Sequence, residues 1–217
     1  MRRLLIWPIG LTLVSVFLMV RVPAANVGFQ NNFLLWNLFL AVVPLVPAFC
    51  FRVFSVPWHW LFFPAWLLFL PNSFYILTDL GHILNLYQYD ATIGRQFLDL
   101  NGPQIRSLFS WQGLKFLTLA GAGWGYGILS LVLVWQKLSL PHPLLTLCEL
   151  TVCFLAGLGV ALGRFYRWNT WDAWRNFTEI KIDLRELFTT ETGLGTTLVF
   201  MVLIFFTFKL SQQVRSF

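Results

Sequence analysis

One polar motif near the middle of this apolar chain contains side chains that could take part in chemistry. Four of its polar residues follow one another at spacings of three, four and three positions: Asn72, Tyr75, Asp79 and His82. On an α-helix, these spacings place an amide, a phenol, a carboxylate and an imidazole on a single face. Asp79 could accept a hydrogen bond from His82, which would fix the imidazole tautomer and raise its basicity. Asp79 and His82 are therefore the candidate catalytic residues.

A purely structural interpretation of the same motif stays open. Pro71-Asn72 can break the helix, and Thr78-Asp79 can cap the turn that follows. His82 would then be an ordinary imidazole near the membrane boundary. A stripe of four polar groups is costly in lipid unless it faces protein or water, and this cost favours a functional site.

The motif does not supply the ligands of a metal site. A zinc centre takes three or four protein ligands, whereas this motif offers one aspartate and one histidine. A third ligand would have to come from Asp172 or from a polar loop at 80–113. We therefore predict no metal and no other cofactor, and we assign three further residues of the motif to ligand binding: Asn72, Tyr75 and Thr78.

A second motif, 163–172, contains two arginines one helical turn apart. Arg164 and Arg167 share a helical face at the end of an apolar run, where guanidinium groups can grip a phosphate or carboxylate. Asn169 can cap the helix that follows and leaves Asp172 in its first turn. These four residues are predicted to bind an anionic ligand. The alternative is that both arginines only extend to lipid phosphates and set the membrane topology.

Membrane-spanning helices must position both motifs. Hydrophobic residues make up 58% of the 217 residues and charged residues 11%, which is too little polar surface for a soluble domain. A hydrocarbon core of about 30 Å needs roughly 20 helical residues, and backbone in lipid has to be helical. Six apolar runs come near that length: 4–22, 33–51, 57–79, 114–135, 144–163 and 194–210. The predicted fold class is an all-α membrane helical bundle that forms a single domain, 1–217.

Several features of the runs predict how they are shaped and packed. The first run resembles a signal peptide ending at Val22-Pro23-Ala24, but it is longer than usual and is counted as a span. Prolines in the second and third runs predict kinks: Pro44, Pro47, Pro64 and Pro71. Glycines in the fourth and fifth runs, 121–127 and 157–163, predict that these two spans pack against each other. Glu149, near the start of the fifth run, is expected to pair with Lys137 or His142, and the alternative is a role in a proton path.

With six spans, the loops after the first, third and fifth spans face the same side of the membrane. Both motifs therefore meet on one face, together with the polar residues of 26–32. Lysine and arginine are more numerous on this face, which favours a cytoplasmic location, but Arg2-Arg3 ahead of the first span argue the reverse. The side of the membrane stays open.

The connections on the motif face have patterns of their own. The loop 80–113 is polar and has a turn signal at Asn101-Gly102-Pro103. The segment 171–188 has apolar residues at three- and four-residue intervals and predicts an amphipathic helix. Such a helix usually lies along the membrane interface, and the alternative is a short helix packed on neighbouring loops.

Charge and composition limit the partners. The net charge of +6 is spread thinly, without a basic run that would bind nucleic acid. Membrane lipids are the predicted partners, together with an anionic amphiphile at the arginines. Another membrane protein is the partner if the motifs only shape an interaction surface.

The two motifs resemble those of an uncharacterised family of bacterial multi-pass membrane proteins, domain of unknown function 1361. Six residues match its first pattern: Pro71, Asn72, Tyr75, Thr78, Asp79 and His82. Six match its second pattern, with Thr170 where serine is common: Gly163, Arg164, Arg167, Asn169, Trp171 and Asp172. The resemblance implies a location in the bacterial cytoplasmic (inner) membrane and implies no activity.

Three functional hypotheses follow. A membrane-embedded enzyme would use Asp79 and His82 as an acid–base pair and the arginines as an anion clamp. A transporter or accessory subunit would bind an anionic or lipid ligand without chemistry, although no inverted repeat supports transport. Finally, the motifs could shape a surface for another membrane protein. The favoured interpretation is an integral membrane protein with a polar site at the interface for an anionic or lipid-like ligand.

Overall fold

The computed structural model describes residues 2–21, 31–55, 57–90, 95–98 and 104–213. Three predicted features lie outside these residues: the junction Val22-Pro23-Ala24, the polar residues of 26–30 and the turn Asn101-Gly102-Pro103. The first half contains these helices and strands: α1 (Arg2–Arg21), α2 (Asn31–Val42), α3 (Leu45–Val53), α4 (Phe62–Tyr75), α5 (Leu80–Ile83), β1 (Tyr87–Asp90) and β2 (Arg95–Leu98). The second half contains α6 (Trp111–Trp135), α7 (His142–Phe165), α8 (Asp172–Arg175), α9 (Phe177–Thr189) and α10 (Glu191–Gln213). Three 3₁₀ turns complete the set: Trp58–Leu61, Ile76–Asp79 and Ile105–Phe109.

Within the described residues, five helical segments are long and apolar enough to cross a membrane: Asn32–Val53, Trp58–Ile83, Trp111–Trp135, His142–Phe165 and Glu191–Gln213. A shorter apolar helix, Ile6–Arg21, precedes them. The predicted all-α membrane bundle of about six helices is confirmed. The loop between the third and fourth spans also contains β1 and β2, an antiparallel hairpin of four-residue strands that sequence analysis did not predict.

The second span is interrupted at Pro44, one of the positions where a kink was predicted. α2 ends at Val42 and α3 begins at Leu45, with Pro44 between them. Proline lacks an amide hydrogen and cannot continue the helical hydrogen-bond ladder. In the third span, α4 continues through Pro71 and then tightens into the 3₁₀ turn Ile76–Asp79. A 3₁₀ turn aligns residues three apart, so Tyr75 and Asp79, which are four apart, do not stay on one side. Asn72, Tyr75 and His82 line a common cavity, and Asp79 is not among its lining residues.

α6 is the central helix of the bundle. In the most apolar 18-residue stretch of α6, 78% of the residues are buried inside the protein. The corresponding fraction is 28–39% in the other four long spans. α1, α2, α3, α4 and α10 all contact it. Its polar contacts with α1 join Thr12 to Tyr126 at 2.8 Å and Ser15 to Thr118 at 2.9 Å. α6 therefore positions the other spans, and α1 is an integral part of the packing.

Glycines allow close helix contacts, but not between the helices predicted. A Cβ at Gly125 of α6 would lie 2.6 Å from Pro8, and one at Gly123 would lie 2.8 Å from the carbonyl oxygen of Ser73. In α7, a Cβ at Gly159 would lie 2.4 Å from Pro71. The prediction that the fourth and fifth spans pack together is wrong: α6 uses its glycines against α1 and α4, while α7 uses its own against α4 and α10.

The amphipathic segment after the fifth span is not one continuous helix. The backbone leaves the helical region at Asn176, with φ −126° and ψ 41°, which separates α8 from α9. Leu187 of α9 is buried against the bundle, whereas Trp174 and Phe177 are exposed. α9 contacts α7 and α10, so it lies across the end of the bundle that contains the two motifs.

Candidate functional site

Asp79 lies at the end of the 3₁₀ turn Ile76–Asp79, and its side chain is fully buried. Oδ2 accepts a hydrogen bond from Nδ2 of Asn37 in α2 at 2.7 Å. Oδ1 accepts one from Nη2 of Arg164 in α7 at 3.2 Å. One carboxylate therefore connects the second, third and fifth spans. Sequence reasoning did not select Asn37, although an amide inside an apolar span is itself a sign of a polar partner.

His82 contacts the same arginine. Nη1 and Nη2 of Arg164 lie 2.8 Å and 3.1 Å from Nε2 of His82. Because a guanidinium group only donates hydrogen bonds, Nε2 must be the acceptor and the proton of the neutral ring is on Nδ1. Sequence analysis expected Asp79 and His82 to act on each other. In the structure, both hydrogen-bond to the guanidinium that lies between them.

Arg164 is held on a further side by an aromatic ring. Its guanidinium carbon lies 5.2 Å from the ring centroid of Tyr75, within the range of a cation–π interaction. Gly163 permits this approach, because a Cβ there would already lie 3.2 Å from the Tyr75 ring. Only 2% of Arg164 is exposed to solvent. Arg164 was predicted to bind an anion at the interface. In the structure it is buried and forms an ion pair with Asp79.

Arg167 differs from Arg164 in both backbone and exposure. α7 ends at Phe165, and Arg167 has a left-handed backbone with φ 60°. The prediction that the two arginines share a helical face is wrong, since the helix ends before the second one. Arg167 is exposed, and both side chains nonetheless line the same cavity. A non-glycine residue with positive φ is uncommon, and here it accompanies the change of direction after α7.

The segment 166–171, which we call the strap, crosses the motif face between α7 and α8. Asn72 donates a hydrogen bond through Nδ2 to Oγ1 of Thr170 at 3.0 Å. Trp168 donates through Nε1 to Oδ2 of Asp183 in α9 at 2.7 Å. These bonds fix the strap to α4 on one side and to α9 on the other.

The structure does not show the predicted capping of the following helix by the Asn169 side chain. The backbone amide of Asn169 donates to Oδ2 of Asp172 at 2.8 Å, and no side chain caps the start of α8. Thr78 uses its hydroxyl to donate to the carbonyl oxygen of Tyr75 at 2.6 Å, and it is buried. Neither Thr78 nor Asp172 is among the residues that line the cavity.

A cavity of about 680 Å³ lies where the two motifs meet. Its polar lining comes from both motifs and from α2: Asn37, Asn72, Tyr75, His82, Arg164, Arg167, Asn169 and Thr170. Most of its apolar lining comes from α2, α4 and α7, including Leu40, Leu67, Leu68, Leu155, Leu158 and Leu162, and α8 and α9 add Ala173 and Ile180. Among the described residues that line it, the charged ones are Arg164 and Arg167, and no carboxylate belongs to the set. Asp79 lies behind Arg164, outside the lining.

Glu149, the other buried carboxylate of the described spans, pairs differently from the prediction. It forms an ion pair with Lys209 of α10 and accepts a hydrogen bond from Gln212 at 3.2 Å. Lys137, one of its predicted partners, instead donates to the carbonyl oxygens of Arg52 and Phe54. In the part of the chain that the structure describes, no three histidine, cysteine, aspartate or glutamate side chains come together as a metal site would require.

The family model described as Protein of unknown function (DUF1361) matches residues 36–210, which is well over half of the chain. The chain belongs to this family. The resemblance that the two motifs indicated is thereby confirmed, and both motifs lie inside the matched range. No curated protein and no solved structure matches the chain.

The DUF1361 match includes nearly all of the cavity. Of the residues that line it, Phe33 alone precedes the matched range of 36–210. Asn37, Asp79, His82 and Arg164 all fall within it. The hydrogen-bonded group around Arg164 therefore belongs to the part of the chain that defines the family.

Proposed function

We propose that this integral membrane protein binds an anionic, lipid-like ligand in the cavity on its motif face. The observation that carries the proposal is the lining of that cavity. Two arginines and several neutral polar groups lie at one end, without a carboxylate among the described lining residues, and apolar side chains of three helices form the walls. The family resemblance supports a further proposal, that the membrane is a bacterial cytoplasmic membrane.

The charge of the cavity favours an anion. Asp79 balances the charge of Arg164, and the contact between them is buried. Arg167 also lines the cavity and is exposed, and the described lining residues include no carboxylate. A guanidinium group can bind a phosphate or carboxylate through two parallel hydrogen bonds. Arg167 is therefore the primary anion contact in this proposal, and Asn72, Asn169 and Thr170 supply neutral hydrogen-bonding groups around it.

In this proposal, Asp79 and His82 act through Arg164. Both oxygens of Asp79 accept hydrogen bonds, and Nε2 of His82 accepts from the guanidinium. A general-base role for the carboxylate of Asp79 or for Nε2 of His82 would first require these contacts to break. The geometry consequently favours ligand binding over the enzyme hypothesis, with Asp79 and His82 as positioning residues.

Native mass spectrometry of the full-length protein with added lipids tests the proposal. Phosphatidic acid should remain bound in preference to phosphatidylcholine with the same acyl chains. Arg167→Gln should weaken that preference roughly tenfold, because a hydrogen bond to a charged group contributes about 1.5–3 kcal/mol. Arg175→Gln is the matched control, since Arg175 is exposed on α8 and does not line the cavity.

Equal retention of the two lipids, or equal losses in the two variants, would refute the proposal. An effect of Arg175→Gln as large as that of Arg167→Gln would indicate general attraction of a basic surface to anionic lipid, rather than binding in the cavity.

A further inference from the structure

The cavity has a floor and two walls made by different spans. α4 forms the floor, and it lies very close to α7 because Gly159 accommodates Pro71. Ser73 of α4 donates a hydrogen bond to the carbonyl oxygen of Ala41 in α2 at 2.6 Å. α2 and α7 thus each pack on α4, while along their described lengths they have little contact with each other. The result is a groove along α4, between α2 and α7.

This groove is open on the side that faces the lipid. Three residues that line the cavity also have large exposed fractions: Phe33 at 37%, Trp36 at 50% and Leu155 at 38%. Phe33 and Trp36 belong to α2, and Leu155 belongs to α7. The exposed apolar edges therefore lie on the two sides of the gap.

The end of the cavity near water is more restricted. The strap lies there, hydrogen-bonded to Asn72 through Thr170 and to Asp183 through Trp168. The ring of Trp171 at the end of the strap lies 6.5 Å from that of Trp36. The strap therefore narrows the approach from water, where Arg167 and Asn169 remain exposed, and it leaves the lipid-facing edges of the groove at Trp36 and Leu155 uncovered.

The length of the apolar wall matches one lipid leaflet. Leu155 precedes Arg164 by nine residues of α7, which corresponds to about 13 Å along the helix. Half of a hydrocarbon core about 30 Å thick is about 15 Å. Charge lies at the motif-face end and apolar side chains lie along the rest, so the groove repeats the polarity of a lipid in that leaflet.

From these features we infer that the ligand is an anionic membrane lipid that enters sideways between α2 and α7. One acyl chain lies along α4 in the groove, and the phosphate or carboxylate of the headgroup lies beside Arg167 under the strap. This inference rests on the proposed function and adds to it the class of ligand, the leaflet from which it comes and its route.

Photo-crosslinking in lipid nanodiscs tests the inference on the full-length protein. The probe is phosphatidic acid with a diazirine in the middle of one acyl chain, and adducts are mapped by peptide mass spectrometry. We expect adducts concentrated in 64–68 of α4 and 155–162 of α7. Phosphatidylcholine with the same diazirine chain should instead label outward-facing surfaces, such as the exposed Val199, Val202 and Phe206 of α10.

A blocking variant makes the test specific to the groove. Leu155→Trp should reduce the groove adducts of phosphatidic acid roughly tenfold, because the larger side chain fills the space that the acyl chain would occupy. Leu147→Trp is the control, since Leu147 is 60% exposed on the same helix and does not line the cavity. Leu158→Trp provides a second block if the first variant does not assemble.

The outcomes separate this inference from the proposed function. Identical adduct maps for the two lipids, or groove adducts unchanged by both blocking variants, would overturn the lateral route. A headgroup probe without acyl chains, glycerol 3-phosphate, distinguishes the remaining cases. If its binding depends on Arg167 while the groove stays unlabelled, the anion site stands and the lipid inference fails. If neither probe responds to Arg167→Gln, both fail.

Discussion

Two buried carboxylates in the spans, Asp79 and Glu149, each pair with a cation from another helix, yet their surroundings differ. Asp79 binds Arg164 on the motif face, where the pair lies at the wall of a cavity of about 680 Å³. Glu149 binds Lys209 at the opposite end of the bundle, and neither residue lines that cavity. A buried ion pair by itself therefore does not mark a functional site. The cavity beside the pair is the distinguishing feature.

The cations of the two pairs also differ in exposure. Arg164 is 2% exposed and also hydrogen-bonds to His82, whereas the side chain of Lys209 is 34% exposed. Asp79 further accepts from Asn37, so its cluster joins three spans. Among the described contacts, the cluster of Glu149 joins only α7 and α10. The Asp79 cluster thus combines a structural role with a position beside the proposed ligand.

The largest expected effect comes from removing the buried cation. Arg164→Met leaves the carboxylate of Asp79 buried without its ionic partner and should lower the free energy of unfolding by about 3–5 kcal/mol. Lys209→Met should cost less, because Lys209 lies four residues before the end of α10 with a third of its side chain exposed, so water at the membrane boundary can reach the pair. Thermal unfolding of the two variants in the same detergent measures the difference. Equal shifts in the unfolding temperature would show that the two pairs are energetically alike.

A smaller effect is expected from the amides that support the two carboxylates. Asn37→Leu removes the 2.7 Å hydrogen bond to Asp79 and should cost about 1.5–3 kcal/mol, because the bond is buried and its acceptor is charged. Gln212→Leu removes a 3.2 Å bond to Glu149 that is only partly buried, and it should cost less. Asn37→Leu should also weaken lipid retention, since Asn37 lines the cavity. Unchanged retention in Asn37→Leu would separate the cluster from the ligand.

Two glycines of α7 test whether helix packing at the cavity differs from helix packing away from it. A Cβ at Gly159 would lie 2.4 Å from Pro71 at the cavity, and one at Gly157 would lie 2.4 Å from the carbonyl oxygen of Thr197 in α10. Each substitution to alanine should cost about 1–3 kcal/mol by forcing two helices apart. Only Gly159→Ala should alter lipid retention in native mass spectrometry.

Gly195 of α10 serves as the control for both glycine variants. No atom lies within 4 Å of a Cβ built there, so Gly195→Ala should leave stability unchanged or raise it by up to about 1 kcal/mol. If Gly157→Ala disturbed lipid retention as much as Gly159→Ala, the cavity would not be confined to the α2–α4–α7 groove.

Particular residues show how far the sequence predicts the proposed site. The spacing of Asn72, Tyr75, Asp79 and His82 predicted one polar stripe, and counting six spans predicted that it would meet the second motif. The two motifs do meet, because His82 and Arg164 are in direct contact. Asn72, Tyr75 and His82 line one cavity, whereas Asp79 lies behind Arg164. The partner of Asp79 in α2 and the left-handed backbone of Arg167 were not predicted. Neither feature depends on spacing within a motif. The contact of Asp79 with Asn37 depends on how distant helices pack, and the backbone of Arg167 depends on the residue at which α7 ends.

What the sequence alone determined was the number of apolar helices, the breaking of the second span at Pro44 and the membrane face shared by the two motifs. These features follow from run length, hydropathy and proline stereochemistry, which act within a segment. Only the tertiary structure decided that Arg164 lies between Asp79 and His82, that Glu149 pairs with Lys209, and that the glycines of α6 and α7 contact other helices. In lipid, every span is apolar on most of its surface, so hydropathy does not specify its neighbours; close packing and the pairing of a few buried polar groups do.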